Sequence, residues 1–149
     1  MSNPALAFVI SRFNEPIIAR LLQGAKNQLA VHGTAWQDEH AFWVPGAVEI
    51  PLIAQHLAQT GNYQAIVCLG AVIRGETSHY EAVCQQVSEG CQWVRHQYRI
   101  PVVFGILTTE NQQQAMARSG GDHSDMGAYA VDTAYEMIKV IHSIEQQSA

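Results

Sequence analysis

A chain of 149 residues can bury one core without disulfides or a structural metal and is too short for two full domains, so a single domain over 1–149 is expected. With 48% hydrophobic and 14% charged residues it is not a disordered chain, and a net charge of −5 argues against a nucleic-acid or anionic-membrane surface. An average soluble protein is about 25% charged, so the deficit leaves either a poorly soluble monomer or a subunit that covers part of its surface with copies of itself.

Ala5 to Ile10 reads as a strand. Asn14 is the expected N-cap of a helix with Pro16 in its first turn, carrying Ile17, Ile18, Leu21, Leu22, Ala25 and Leu29 at helical spacing and ending at Gly33. A second strand covers His40 to Val44, closed by Pro45-Gly46, and a helix runs through Leu52, Ile53 and Leu57 to Gly61. Gln64 to Leu69, between Gly61 and Gly70, is the clearest buried strand. Ser78 and Glu81 then stand in capping-box spacing and open a helix with the apolar stripe Tyr80, Val83, Val87, Cys91, Val94 and Tyr98. Pro101 to Leu107 is the fourth strand. Thr108-Thr109-Glu110 opens a short helix ending at Gly120-Gly121, and a last helix covers Asp125 to Ile144 with Ala130, Ala134, Met137 and Ile141 on one face.

Four strands alternating with helices predict the α/β class: a three-layer α/β/α domain on a four-stranded parallel sheet. The longest apolar run, Ile66 to Ile73, is far short of the ~20 residues that span a bilayer. Met1-Ser2-Asn3-Pro4 has no basic or apolar signal character, and Cys68, Cys84 and Cys91 are an odd set without Cys-x-x-Cys. Reduced, buried thiols in a cytoplasmic protein are expected.

In such a sheet ligands sit beyond the carboxyl ends of the strands, which directs attention to Ser11–Asn14, Pro45–Glu49, Gly70–His79 and Thr108–Glu110. The richest segment is Gly70-Ala-Val-Ile-Arg-Gly-Glu-Thr-Ser-His79. Its glycines permit close backbone approach, and Thr77, Ser78 and free amides gather where a helix begins, which favours an anion such as phosphate. His79 falls in the first turn, where the positive helix end favours a neutral imidazole fit to act as a base. An ordinary turn with a surface histidine accounts for the same residues. Phe13 suits stacking on a planar ligand, or a hydrophobic staple ahead of the helix. Glu49, bracketed by Pro45 and Pro51, suits hydrogen bonds from an amide-rich ligand, or merely complements a helix start. Arg118 suits a fork on phosphate, or a solvated helix end. Asp122, His123 and Asp125 read as turn and cap residues, so no metal site is expected. A P-loop and a nucleophile elbow are both missing.

Together the segments Ser-Arg-Phe13-Asn14, Val-Pro-Gly46-Ala-Val-Glu49-Ile-Pro, Gly70-Ala-Val-Ile-Arg-Gly-Glu-Thr-Ser-His79-Tyr-Glu and Pro-Val-Val-Phe104-Gly-Ile-Leu-Thr-Thr-Glu, followed by Gln114-Ala-x-x-Arg118-x-Gly, resemble the 6,7-dimethyl-8-ribityllumazine synthases of riboflavin biosynthesis. The resemblance spans nearly the whole chain and implies the flavodoxin-like fold of that family. It implies a transferase that condenses 5-amino-6-(D-ribitylamino)uracil with 3,4-dihydroxy-2-butanone 4-phosphate, without a metal or redox cofactor. On matching positions, Phe13 stacks on the pyrimidine. Ala47, Val48 and Glu49 contact the ribityl chain and pyrimidine, helped by Val72 and Ile73. Glu76, Thr77 and Arg118 hold phosphate, the first two through backbone. His79 transfers the proton, and Phe104 lines the pocket from a neighbouring subunit. The implied partners are copies of the chain, as a pentamer or multiple of pentamers, and riboflavin synthase. The resemblance also implies that Tyr80, Val83, Val87, Cys91 and Val94, on the helix opened by Ser78, meet another copy.

One departure stands out. After Arg118 the family carries a basic stretch ending Asn-Lys-Gly, whereas this chain reads Ser-Gly-Gly-Asp-His-Ser-Asp125-Met126-Gly127, with Met126 in place of the lysine. That exchange supports the rival reading of a non-catalytic lumazine- or flavin-binding or scaffold paralogue. A flavodoxin-like electron carrier is a third reading, against which His79 and Arg118 speak for substrate chemistry.

Overall fold

A parallel strand covered on both faces needs an apolar residue at nearly every position, and the continuous apolar runs of this chain become such strands. The computed structural model describes residues 3–148. In it β1 (Leu6–Ser11), β2 (Ala41–Val44), β3 (Ala65–Ile73) and β4 (Val102–Thr109) form an all-parallel sheet in the order β2-β1-β3-β4. Every residue of β1 is buried, and all of β3 except Ile73. The pleat then sorts alternate residues to opposite faces. Phe8, Ile10, Val67 and Leu69 pack with α1 (Glu15–Val31) and α5 (Met126–Ser148), while Ala7, Val9, Ile66 and Cys68 pack with α2 (Ile50–Thr60) and α3 (His79–Tyr98). The short α4 (Gln112–Arg118) adds Ala115 to the first core. The three-layer flavodoxin-like arrangement is therefore present.

The central strands run further than their apolar runs indicate. Gly70 to Ile73 remain in β3 because β4 continues beside them, with Gly70 opposite Ile106 and Ile73 opposite Thr109. Thr108 and Thr109 thus belong to a strand, not to a helix start, and Asn111 caps α4, its side chain accepting a hydrogen bond from the Gln114 N–H. On α5 the buried stripe is Gly127, Ala130, Val131, Ala134 and Ile138; Met137 is left exposed. Gly127 is required there, since a Cβ would run into the Leu21 carbonyl of α1.

The α3 stripe expected to meet another copy is turned inward instead. Val87, Cys91 and Val94 are buried in the second core, with Tyr80, Val83 and Tyr98 packed against it. The open face of α3 carries Trp93, which is exposed. Cys68 and Cys91 are buried free thiols, but Cys84 is only half-buried. Of the opening tetrapeptide, Met1 and Ser2 lie outside the described residues. Among the described residues no helix is long and apolar enough to cross a membrane.

Candidate active site

With β1 connecting outward to β2 on one side and β3 lying on the other, the crevice at their carboxyl ends is the natural place for a ligand in this topology. A cavity of about 310 Å³ opens there. Its walls come from three loops. The first follows β1. Asn14 takes the left-handed conformation (φ 68°, ψ 53°), which Asn tolerates better than most residues, and so turns the chain from strand into α1. Asn14 does sit at the N-cap position, yet its side chain caps nothing. Its Nδ2 donates to the Ala71 carbonyl at 3.2 Å, tying the loop to β3. The Arg12 and Phe13 amides donate to the Val44 and Pro45 carbonyls at 2.9 and 3.1 Å, tying it to β2 as well. Held on both sides, the loop presents Phe13 at the cavity with 69% of its surface exposed. That exposure is inconsistent with a hydrophobic staple and leaves an aromatic face free to stack.

The second wall is the turn after β2, where Gly46, Ala47 and Val48 line the cavity. Glu49 belongs to the turn but is not a wall residue. Its Oε1 accepts the Gly46 N–H at 2.9 Å, so one carboxylate oxygen fixes the shape of the turn itself. The third wall comprises Ala71, Val72 and Ile73 from the end of β3, then Gly75, Thr77, His79, Tyr80 and Val83. The expected capping box at Ser78 and Glu81 is not formed, for Ser78 makes no side-chain cap and Glu81 pairs with Arg74 instead. Thr77 takes the local role, its Oγ1 accepting the His79 N–H at 3.3 Å. His79, the first residue of α3, is exposed beside the amides that the helix start leaves free. The result is an apolar cleft with a polar corner made of Asn14, Thr77 and His79.

Seven sequence candidates therefore meet on the walls, in three groups from different elements: Phe13, the pair Ala47 and Val48, and the set Val72, Ile73, Thr77 and His79. Glu76 is exposed on the same loop but is not a wall residue. Phe104 and Arg118 lie elsewhere in the chain. Phe104, half-buried on β4, lines a second hollow of about 250 Å³ with Met126, Tyr129, Ala130 and Met137. Arg118 ends α4, its Nη1 donating to the Gln114 carbonyl at 3.1 Å. The segment after β4 is likewise not part of the first cavity. Asp125 caps α5, its Oδ1 accepting the Ala128 N–H at 3.1 Å, as a cap residue should.

Tyr80, Val83 and Asn14 were missed as wall residues. The first two read as the start of a core stripe because helical spacing cannot tell the core from a cavity beside it. Asn14 read as an N-cap because composition does not reveal which backbone its amide reaches.

Known proteins of the same pattern exist. The family described as 6,7-dimethyl-8-ribityllumazine synthase matches residues 3–142. A protein of that name from Coxiella burnetii is 51% identical over 140 residues, 94% of this chain and 93% of its own length. Another of that name from Pediococcus pentosaceus is 43% identical over 142 residues, 95% of this chain and 91% of its own length. Identity at this level over nearly the full length accounts for the sheet order and the three loops at once, and the chain belongs to the 6,7-dimethyl-8-ribityllumazine synthase family.

Proposed function

We propose that the chain condenses 5-amino-6-(D-ribitylamino)uracil with 3,4-dihydroxy-2-butanone 4-phosphate, giving 6,7-dimethyl-8-ribityllumazine, phosphate and water, at the cavity between the ends of β1 and β3. The observation that carries this assignment is the meeting of Phe13, Val48, Thr77 and His79 on one cavity in a chain of this family.

The chemistry asks for three things: an amine must add to a ketone and lose water, phosphate must leave to give an enol that becomes a second carbonyl, and a second nitrogen must add to that carbonyl and lose a second water to close the ring. Both substrates are reactive, so orientation and a proton shuttle supply most of what is needed. Phe13 stacks on the pyrimidine, and Ala47, Val48, Val72 and Ile73 form its apolar bed. Glu49 holds the turn through the Gly46 amide and keeps a second carboxylate oxygen for a substrate N–H or ribityl hydroxyl. The amides at Glu76 and Thr77 receive the phosphate, aided by the free N–H groups at the start of α3. His79 takes the proton whose loss accompanies phosphate departure and returns one during ring closure.

Phe104 and Arg118 complete the site from a neighbouring copy in this reading, within a pentamer or a multiple of pentamers. Support comes from their position away from the cavity and from the apolar character of the β4 hollow, where Tyr129 and Met137 are exposed. Riboflavin synthase, which takes the lumazine, is the heterologous partner in the same reading. Cytoplasmic residence fits three cysteines carried as free thiols. The test is to mix purified protein with both substrates and follow lumazine absorbance. Formation no faster than the uncatalysed background removes the assignment.

A further inference from the structure

The loop from Gly75 to Ser78 carries the polar corner of the cavity, but its own hydrogen bonds among the described residues are local: His79 N–H to Thr77 Oγ1, and Ala82 N–H to the Ser78 carbonyl. What ties this loop to the body of the protein is the residue before it. The Arg74 N–H donates to the Thr109 carbonyl at 2.9 Å, extending the β3–β4 ladder by one step. Its Nε donates to Glu110 Oε2 at 2.5 Å, just past the end of β4, and its Nη1 donates to Glu81 in the first turn of α3. The guanidinium carbon lies 4.5 Å from the ring centre of Tyr80, a wall residue of the cavity.

One planar cation thus bridges the end of β4 and the start of α3 across the loop. An isolated exposed ion pair contributes little, because two long side chains must be held for one screened contact. Here one immobilised guanidinium serves two carboxylates and an aromatic face, which suits the fork geometry of Arg and would not suit Lys.

We propose that Arg74 is a positioning residue: through Glu81, Glu110 and Tyr80 it holds residues 75–79 in the shape that offers the loop amides and the His79 imidazole to substrate. This role rests on the assignment of His79 made above. Hydrogen bonding to Arg74 holds the Glu81 carboxyl below its ordinary range. The Glu81 arm is therefore charged at neutral pH and is lost only as pH falls through that lowered value.

The test compares wild type, R74A, R74K and the double variant E81Q/E110Q as full-length assembled proteins. Hydrogen exchange of the 75–79 amides and the steady-state kinetics of lumazine formation are the readouts. In R74A the loop amides exchange at least about tenfold faster while β1 and β3 keep their protection. Its kcat falls about 100-fold with KM for the pyrimidine substrate nearly unchanged, since the Phe13 wall is untouched. Millimolar guanidinium restores part of the R74A turnover, and R74K, which keeps the charge without the fork, stays well below wild type. The double variant moves both readouts in the same direction even if R74A does not fold. Loop exchange or kcat within about twofold of wild type in the folded variants overturns the proposal. A wild-type protein that forms no lumazine overturns the function assigned above instead, and the exchange rates alone then decide whether Arg74 orders the loop.

Discussion

The cavity at the ends of β1 and β3 and the hollow along β4 differ in what they hold. The cavity between β1 and β3 is walled by three loops, the first of them hydrogen-bonded to the second through its backbone and to the end of β3 through Asn14, and it holds a histidine, a threonine and an exposed aromatic ring. The hollow along β4 is lined by Val102, Val103, Phe104 and the α5 residues Met126, Tyr129 and Met137, with Arg95 and Thr133 as its polar members. Both are mainly apolar, but the imidazole fit for proton transfer stands in the first, whereas the second has a guanidinium and a hydroxyl. If Phe104 serves the site as proposed, a copy of the chain must complete the cavity, and each prediction below strains one side of that contrast.

The largest effect is expected at His79. His79→Ala should lower kcat by about 100-fold or more while the oligomer stays intact by sedimentation, because general acid–base catalysis is removed and no packing is. Phe104→Ala should also slow turnover, without touching the cavity of its own chain. Mixed oligomers of the two variants separate the hollows cleanly. Random assembly gives roughly a quarter of the interfaces both an intact His79 and an intact Phe104, so activity should climb well above either parent. No recovery on mixing would mean that the two residues do not serve one shared site.

A second strain falls on the frame beneath the β4 hollow. Gly127 follows Met126, and a Cβ at this position meets the Leu21 carbonyl. Gly127→Ala should destabilise the fold by about 1–3 kcal/mol, because backbone of α1 or α5 has to move. Denaturant midpoints measure it. Since α5 carries Met126, Tyr129 and Met137, the same change should loosen the oligomer, whereas ligand binding at an isolated first cavity should be spared.

Met126 probes the contrast more gently. It is half-buried, packs against the core between α1 and α5, and faces the β4 hollow. In this family a lysine is expected at that position. If the hollow faces a neighbour's cavity, Met126→Lys brings a cation toward the reacting substrate, and turnover should rise about threefold or more. Thermal stability should fall slightly as an apolar contact is lost. No gain in turnover would remove any catalytic meaning from the missing lysine.

How much of this was legible in the sequence follows from the range of the forces involved. The four strands and the order of layers could be read because burial on both faces leaves continuous apolar runs, as from Ile66 to Ile73. Phe13, Thr77 and His79 could be read because glycines, prolines and polar residues mark strand-to-helix loops, and Val48 through the family resemblance. The partners of side chains could not. Asn14 reaching Ala71, Glu81 turning from Ser78 to Arg74, and the α3 stripe turning into its own core all depend on residues distant in the chain. The lengths of β3 and β4 depend likewise on each being present to extend the other.

A last effect, on stability alone, is expected at the end of β1. Ser11 is fully buried, and its hydroxyl is the buried side-chain oxygen without a hydrogen-bond partner among the described residues. Thr109 at the end of β4 makes the contrast, for its Oγ1 donates to the Asn111 carbonyl at 2.9 Å. Gly70, across from Ser11, is tight as well: a Cβ there would stand 3.0 Å from the hydroxyl. A buried hydroxyl without a partner costs about 1–3 kcal/mol, so Ser11→Ala should raise the stability of the unliganded protein by about 1 kcal/mol in denaturant titrations. Thr109→Val, which removes a satisfied hydroxyl, should lower it by a similar amount. If Ser11→Ala lowers stability instead, the hydroxyl has a partner such as an ordered water, and the buried end of β1 holds a satisfied polar group.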